Sequence, residues 1–264
     1  MFKYVGFVLR AGPRILFSYP WIRKYSNYPE KYDAFIRYSK VHKLDAITVH
    51  NLKTEYYISG EEGLPKDKAV VFMPNHQSNM DPLSLIAIYD KPLTFIAKKE
   101  IVKFPFVGRV VKSIDGIFIN RRNLRQEIMV VKQATQLLID RPYQNFVIFP
   151  EGTRSKSLKH DLGEFKPGSF KVAYNSHRPI VPVAIYGTFR VLDKKADMKR
   201  FPIQVKFLNP IYYEEYSKYN TIELSKIVED IVKKEVDILR KKDEELVAKH
   251  KYKNYKKSLD IPGV

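Results

Sequence analysis

Short apolar runs, each cut off by polar residues, recur along the chain. Residues 69–73 (Ala69, Val70, Val71, Phe72, Met73) predict a buried strand that stops at Pro74. Residues 116–121 read as a second, with Gly116, Ile117, Phe118 and Ile119 ending in the polar pair Asn120 and Arg121. Residues 146–149 read as a third, followed at once by Pro150, Glu151, Gly152, Thr153 and Arg154. Segments 93–97, 180–186 and 203–207 are also strand-like, and weak alternation over 46–59 predicts one more. Helical patterns lie between them. One spans 31–44, with Ala34, Phe35, Tyr38 and Val41 at helical spacing, and a short one spans 83–89. Another covers 98–113 with an interruption at Pro105, Phe106, Val107 and Gly108. A fourth runs over 124–139, opened by Asn123 and Gln126 in the manner of a capping box. A short helix ends near Ser176, and a long one over 221–248 carries Leu224, Ile227, Val228, Ile231 and Val232 on one face.

Strands alternating with helices predict an α/β fold with a central, largely parallel sheet flanked by helices. Three regions are expected: an N-terminal amphipathic helical region over 1–44, the α/β domain over 45–215, and a C-terminal amphipathic helix with a basic tail over 216–264. In an open α/β sheet the C-terminal strand ends share one edge, and ligands bind there. The polar clusters at His76, Arg121 and Glu151 to Arg154 each follow a strand, so they can converge on one site.

The first cluster holds His76 and Asp81. On one continuous helix residues five apart point about 140° away from each other, so the two side chains meet only if a turn separates them. A strand end, a turn and a helix restarting at Asp81 and Pro82 supply that turn, with Asp81 as N-cap and Pro82 at the first helical position. A His–carboxylate dyad can take a proton from a hydroxyl at neutral pH, because free imidazole titrates near ~6.5 and a carboxylate on its second nitrogen fixes the tautomer. The plainer alternative is a capping Asp81 and an ordinary turn histidine.

Composition narrows the chemistry. The chain has 264 residues, 44% of them hydrophobic, enough for one or two globular domains. It has no cysteine, which excludes disulfides, cysteine-ligated zinc and a cysteine nucleophile. Any group transfer therefore uses another nucleophile or goes directly to the acceptor. The formal charge of +18 calls for an anionic partner. No apolar run approaches the roughly 18–20 residues that span a bilayer. Over the first 44 residues Phe2, Tyr4, Phe7, Leu16, Phe17 and Trp21 alternate with Lys3, Arg10, Arg14 and Arg23, and no acid precedes Glu30. That pattern predicts helices lying in a membrane interface, the alternative being a helix packed on the core with a solvated basic edge. Residues 249–257 hold five lysines with Tyr252 and Tyr255, a membrane-surface tail or a solvated helix end. No cluster has metal-ligand spacing, so no metal is expected. His160 and Asp161 read as a solvated pair in a lysine-rich loop.

Three clusters in order, His76-Gln-Ser-Asn-Met-Asp81, Gly116-Ile-Phe-Ile-Asn-Arg121 and Phe149-Pro-Glu-Gly-Thr-Arg-Ser155, resemble the first three motifs of the glycerolipid acyltransferases, and Ile180-Val-Pro-Val183 resembles a fourth. Ala97-Lys-Lys-Glu100 and Pro105-Phe-Val-Gly108 also look like that family. The likeness covers roughly residues 64–187 and is nearest to bacterial 1-acyl-glycerol-3-phosphate acyltransferases. One departure is Asn120, where many relatives carry Asp.

The resemblance implies transfer of an acyl chain from a thioester, carried by acyl carrier protein or coenzyme A, to lysophosphatidic acid. Glycerol-3-phosphate or another lysophospholipid is the alternative acceptor. It implies no cofactor beyond that co-substrate, and a peripheral enzyme on an anionic membrane surface at the cytoplasmic face of the cell membrane. His76 would be the general base and Asp81 its orienting partner. Arg121 and Arg154 would grip the acceptor's phosphate, since a guanidinium can do so bidentately. Lys98 and Lys99 would assist, and Lys166 would be a further phosphate ligand. Glu151 would position Arg154 or a substrate hydroxyl, with Gly152 allowing close backbone approach and Thr153 beside it. The +18 charge alone would also fit a non-catalytic basic protein, but no nucleic-acid-binding signature is present and no nucleic-acid partner is expected.

Overall fold

The computed structural model describes residues 2–120, 124–155, 157, 160–193, 196 and 198–250, with side chains from residue 11 onward except at residue 124. Two helices come first, α1 (Phe2–Asn27) and α2 (Ala34–Asn51), followed by β1 (Thr54–Ser59) and β2 (Val71–Pro74). Then come α3 (Met80–Ile88), β3 (Leu93–Lys98), α4 (Pro105–Ser113), β4 (Ile117–Ile119), α5 (Leu124–Asp140) and β5 (Asn145–Val147). The chain continues through α6 (Lys171–Ser176), β6 (Ile180–Tyr186), β7 (Phe201–Phe207), α7 (Tyr213–Tyr216) and α8 (Thr221–His250).

The strands form one sheet in the order β1-β7-β6-β2-β5-β3-β4. β6, β2, β5, β3 and β4 run parallel; β7 is antiparallel to β6, and β1 parallel to β7. The sheet is thus mostly parallel, and both faces are covered, as the continuous apolar runs of its central strands require. Alternation within β2 divides the core. Phe72 packs with Tyr38, Leu85 and Tyr89 on the α2–α3 side, whereas Val71 and Met73 pack with Ala134, Val172 and Val228 on the α5–α6–α8 side.

Several elements differ from the sequence expectations. Residues 46–51 are helix, so the weak strand expected over 46–59 shrinks to β1 and the break expected at residue 44 falls inside α2. The β-branched Ile47, Thr48 and Val49 mimic a strand, but burial of Val41, Asp45 and Val49, one every four residues, follows the helical period. Pro105 opens α4 rather than interrupting it, because a proline at the first helical position sacrifices no hydrogen bond; residues 99–103 are a separate 3₁₀ turn. Asn123, half of the expected capping box, lies outside the described residues. So does the basic tail beyond residue 250.

Candidate active site

The turn between β2 and α3 is built by its own polar side chains. Asn75, 1% exposed, donates to the carbonyl of Ile185 and accepts from the amide of the same residue, pinning the turn to β6. Ser78 Oγ accepts from the Met80 N–H at the start of α3. Asp81 is not the N-cap expected from sequence. It is the second residue of α3, and its carboxylate turns back to accept the Gln77 and Ser78 amides at 2.7 and 2.8 Å. That geometry closes the turn and folds His76 over Asp81.

Nδ1 of His76 lies 2.7 Å from Oδ2 of Asp81. The two amides and the Thr188 hydroxyl already donate to this carboxylate, the hydroxyl to Oδ1 at 2.5 Å. Surrounded by donors, Asp81 acts as acceptor, so the proton sits on Nδ1 and Nε2 carries a free lone pair. Asp81 is fully buried and the His76 side chain is 14% exposed. One ring of the dyad therefore faces the outside and its partner is sealed. Phe149 stacks on the imidazole with ring centroids 4.2 Å apart.

The segment after β5 holds the other side of His76. Glu151 Oε1 accepts the His76 amide at 2.6 Å, and Oε2 accepts the Gly163 amide at 2.8 Å. The Ser155 amide donates to the His76 carbonyl at 2.8 Å, so both backbone groups of His76 are bound by this one segment. Burial pushes the Glu151 carboxyl up to about 7, against the lowering effect of its two amide donors. Each Glu151 oxygen thus accepts a backbone amide, whereas the sequence reading has this acid position Arg154 or a substrate hydroxyl. A Cβ at Gly163 would stand 2.8 Å from Glu151 Oε2, so a larger residue there would push this carboxylate aside.

Gly152 has a left-handed φ of 67°, and the Lys166 side chain lies across it, with Nζ 3.1 Å from where a Cβ would stand. Gly152, Lys166 and Phe149 line a cavity of about 440 Å³ whose remaining wall is mainly aliphatic, including Ile96, Ile119, Val131 and Ile148. Thr153 and Arg154 are exposed on the same loop. Lys98 and Lys99 are exposed at the end of β3, with Lys98 3.5 Å from Glu100. The structure thus gathers His76, Asp81, Glu151, Gly152 and Lys166, and leaves Arg154, Lys98 and Lys99 at the rim of the same sheet edge. Arg121 lies outside the described residues, and β4 before it ends at Ile119 on that edge. Among the described residues no group of three His, Asp or Glu is arranged to hold a metal ion.

Thr188, which the sequence reading did not single out, binds the dyad; Asn75 and Phe149 from the motif segments touch the dyad or its turn, and Gln77 accepts from Gly187. His160 is packed rather than solvated. Its ring stacks on Phe189 at 3.7 Å, its carbonyl faces Gln77 Nε2 at 3.5 Å, and burial lowers its pKa. Its ring packs on Phe189 rather than on the dyad, and Phe189, more than one hundred residues from His76, gave no local signal.

Residues 55–186 match the family described as Acyltransferase. A probable 1-acyl-sn-glycerol-3-phosphate acyltransferase of Mycoplasma pneumoniae is 37% identical over 214 residues, covering 75% of this chain and 78% of its own. The 1-acyl-sn-glycerol-3-phosphate acyltransferase of Borreliella burgdorferi is 30% identical over 187 residues, covering 69% and 72%. The crystal structure of the 1-acyl-sn-glycerophosphate acyltransferase PlsC from Thermotoga maritima superposes with a TM-score of 0.72 at 27% identity, covering 90% of this chain and 95% of that one.

Proposed function

The chain belongs to the acyltransferase family, and on that premise we propose that it transfers an acyl chain from a thioester to the free 2-hydroxyl of 1-acylglycerol-3-phosphate, forming phosphatidic acid for phospholipid synthesis. The observation that carries this reading is the dyad. Asp81 engages Nδ1 of His76 and leaves Nε2 to take the hydroxyl proton. The alkoxide then attacks the thioester carbonyl, the C–S bond breaks, and protonated His76 returns its proton to the leaving thiolate. No nucleophile on the protein is needed, in keeping with the cysteine-free sequence.

The apolar cavity beside Phe149 suits the acyl chain, and Lys166 at its mouth suits the acceptor's phosphate. Arg121 and Arg154 are further phosphate ligands in this proposal, with Lys98 and Lys99 at the rim. No described helix is long and apolar enough to cross a membrane. The proposed location is peripheral, on the anionic cytoplasmic surface of the cell membrane, held by the basic, apolar N-terminal region.

The test is a matrix of donors and acceptors read by product mass. Acyl carrier protein and coenzyme A thioesters are each offered with lysophosphatidic acid, glycerol-3-phosphate or lysophosphatidylcholine. Phosphatidic acid as the main product is expected with at least one donor. Preference for glycerol-3-phosphate would overturn the acceptor assignment.

A further inference from the structure

The 3₁₀ turn after β3 and the first turn of α4 form a tip at the sheet edge that carries the dyad, because β3 and β2 run parallel through β5. This tip exposes three large apolar side chains, Val102 at 46%, Phe104 at 65% and Val107 at 46%. Lys98, Lys99 and Lys103 neighbour them in the chain, with Glu100 the one acid between residues 98 and 113. Helix α1 lies alongside. The Arg109 guanidinium donates to Ser26 and Asn27 at 3.2 and 2.9 Å and stands 5.8 Å from the Tyr19 ring. One turn further on, the Ser113 carbonyl accepts from Arg37 near the start of α2. The C-terminal end of α4 therefore lies at the α1–α2 junction. At about 1.5 Å per residue, the first turn of α4 lies about one helical turn back from Arg109, level with the last third of α1. Leu16 and Phe17, 72% and 79% exposed, lie a further turn or so towards the N-terminus of α1.

We infer that the tip around Phe104 inserts into the headgroup region of an anionic membrane together with the middle of α1, so that the bilayer is contacted at two points flanking the site. This deepens the proposed function and rests on its lipid substrate. An exposed phenylalanine ringed by lysines is unfavourable in water, and it suits an interface that offers acyl carbon below and phosphate above. An acidic carrier protein could also meet lysines, but the apolar side chains lie on two packed segments, a broader front that favours a lipid surface. The consequence is orientation: with the tip and α1 both seated, the edge bearing Nε2 of His76 faces the lipid acceptor.

The absence of cysteine permits a direct test. Phe104→Cys and, as a second site, Val107→Cys are nitroxide-labelled in the full chain. Tyr143→Cys, 66% exposed just before β5 at the opposite sheet edge, is the reference. With phosphatidylglycerol vesicles, labels at 104 and 107 should become more accessible to oxygen than to a water-soluble nickel chelate, and the label at 143 should not. Vesicle binding by Phe104→Ser/Val107→Ser should weaken several-fold. Labels at 104 and 107 that stay nickel-accessible on sedimented vesicles would overturn the inference. So would labels that are immobilised by acyl carrier protein and not by vesicles. Neither readout uses a thioester, so failure of the acyltransfer assignment leaves this result separately legible.

Discussion

Glu151 grips His76 by its backbone amide, 2.6 Å from carboxylate to nitrogen, across 75 residues of sequence. The same carboxylate holds Gly163, and Ser155 binds the His76 carbonyl. The acid that follows β5 thus holds the backbone of His76 in place. A displacement of about 1 Å in a reacting group can cost ~10²-fold in rate. Glu151→Gln keeps the shape but faces one amide donor with another. Its kcat should fall roughly 10- to 100-fold, with KM for the acceptor changing far less; a pure KM effect would assign Glu151 to substrate binding.

The raised carboxyl of Glu151 also gives a stability signature. Its native pKa of about 7 lies above the ordinary value of 4.5, so the folded state holds the proton that the unfolded chain has lost. The contribution is fully present below about pH 4.5 and is lost as pH rises towards 7, at up to about 1.4 kcal/mol per pH unit. Wild type should therefore lose stability relative to Glu151→Gln between pH 5 and 7, whatever the fixed cost of the substitution. Urea melts across that range check it, and a constant difference would contradict it.

Thr188 bears on the dyad from the far side. Its hydroxyl donates to Oδ1 of Asp81, and both residues are fully buried. Thr188→Val keeps the volume and removes the donor, so the buried Asp81 carboxylate loses one of the bonds that fix it against Nδ1 of His76. Stability should fall by about 1–3 kcal/mol for the lost partner, and kcat should fall with KM for the acceptor little changed. An unchanged kcat with the same loss of stability would make Thr188 a purely structural residue.

The loop carrying Ser155 and Gly163 is held from outside by α8. Glu229 accepts the buried Phe165 amide at 2.7 Å, and Arg240, three helical turns on, pairs with Asp161 at 2.8 Å. The first contact involves a buried donor and the second an exposed pair, so their worth differs. Glu229→Ala should cost about 1–3 kcal/mol and Arg240→Ala less than about 1. Amide exchange at Gly163 and Phe165 should quicken in the first variant and barely change in the second.

The sheet and the positions of His76, Glu151 and Gly152 were readable because each sits directly after an apolar run, and strand ends in a parallel sheet share an edge. The role of Asp81 was half readable. Spacing required a turn between it and His76, but a first-turn acid that folds back on two amides looks in sequence like an N-cap. Thr188 and Glu229 were not readable. They reach the site from the 3₁₀ turn after β6 and from α8, 107 residues from Asp81 and 64 from Phe165, and neither stands in a local pattern that marks it. The helix over 46–51 was misread because β-branched side chains weigh towards a strand until burial against α3 decides.

The central claim is direct transfer with His76 as base. Thiol release from an acyl thioester, measured with and without lysophosphatidic acid for wild type and His76→Ala, tests it most directly. The account predicts release that depends on the acceptor in wild type and falls to background in the variant. Release indifferent to the acceptor, or retained in His76→Ala, would contradict it.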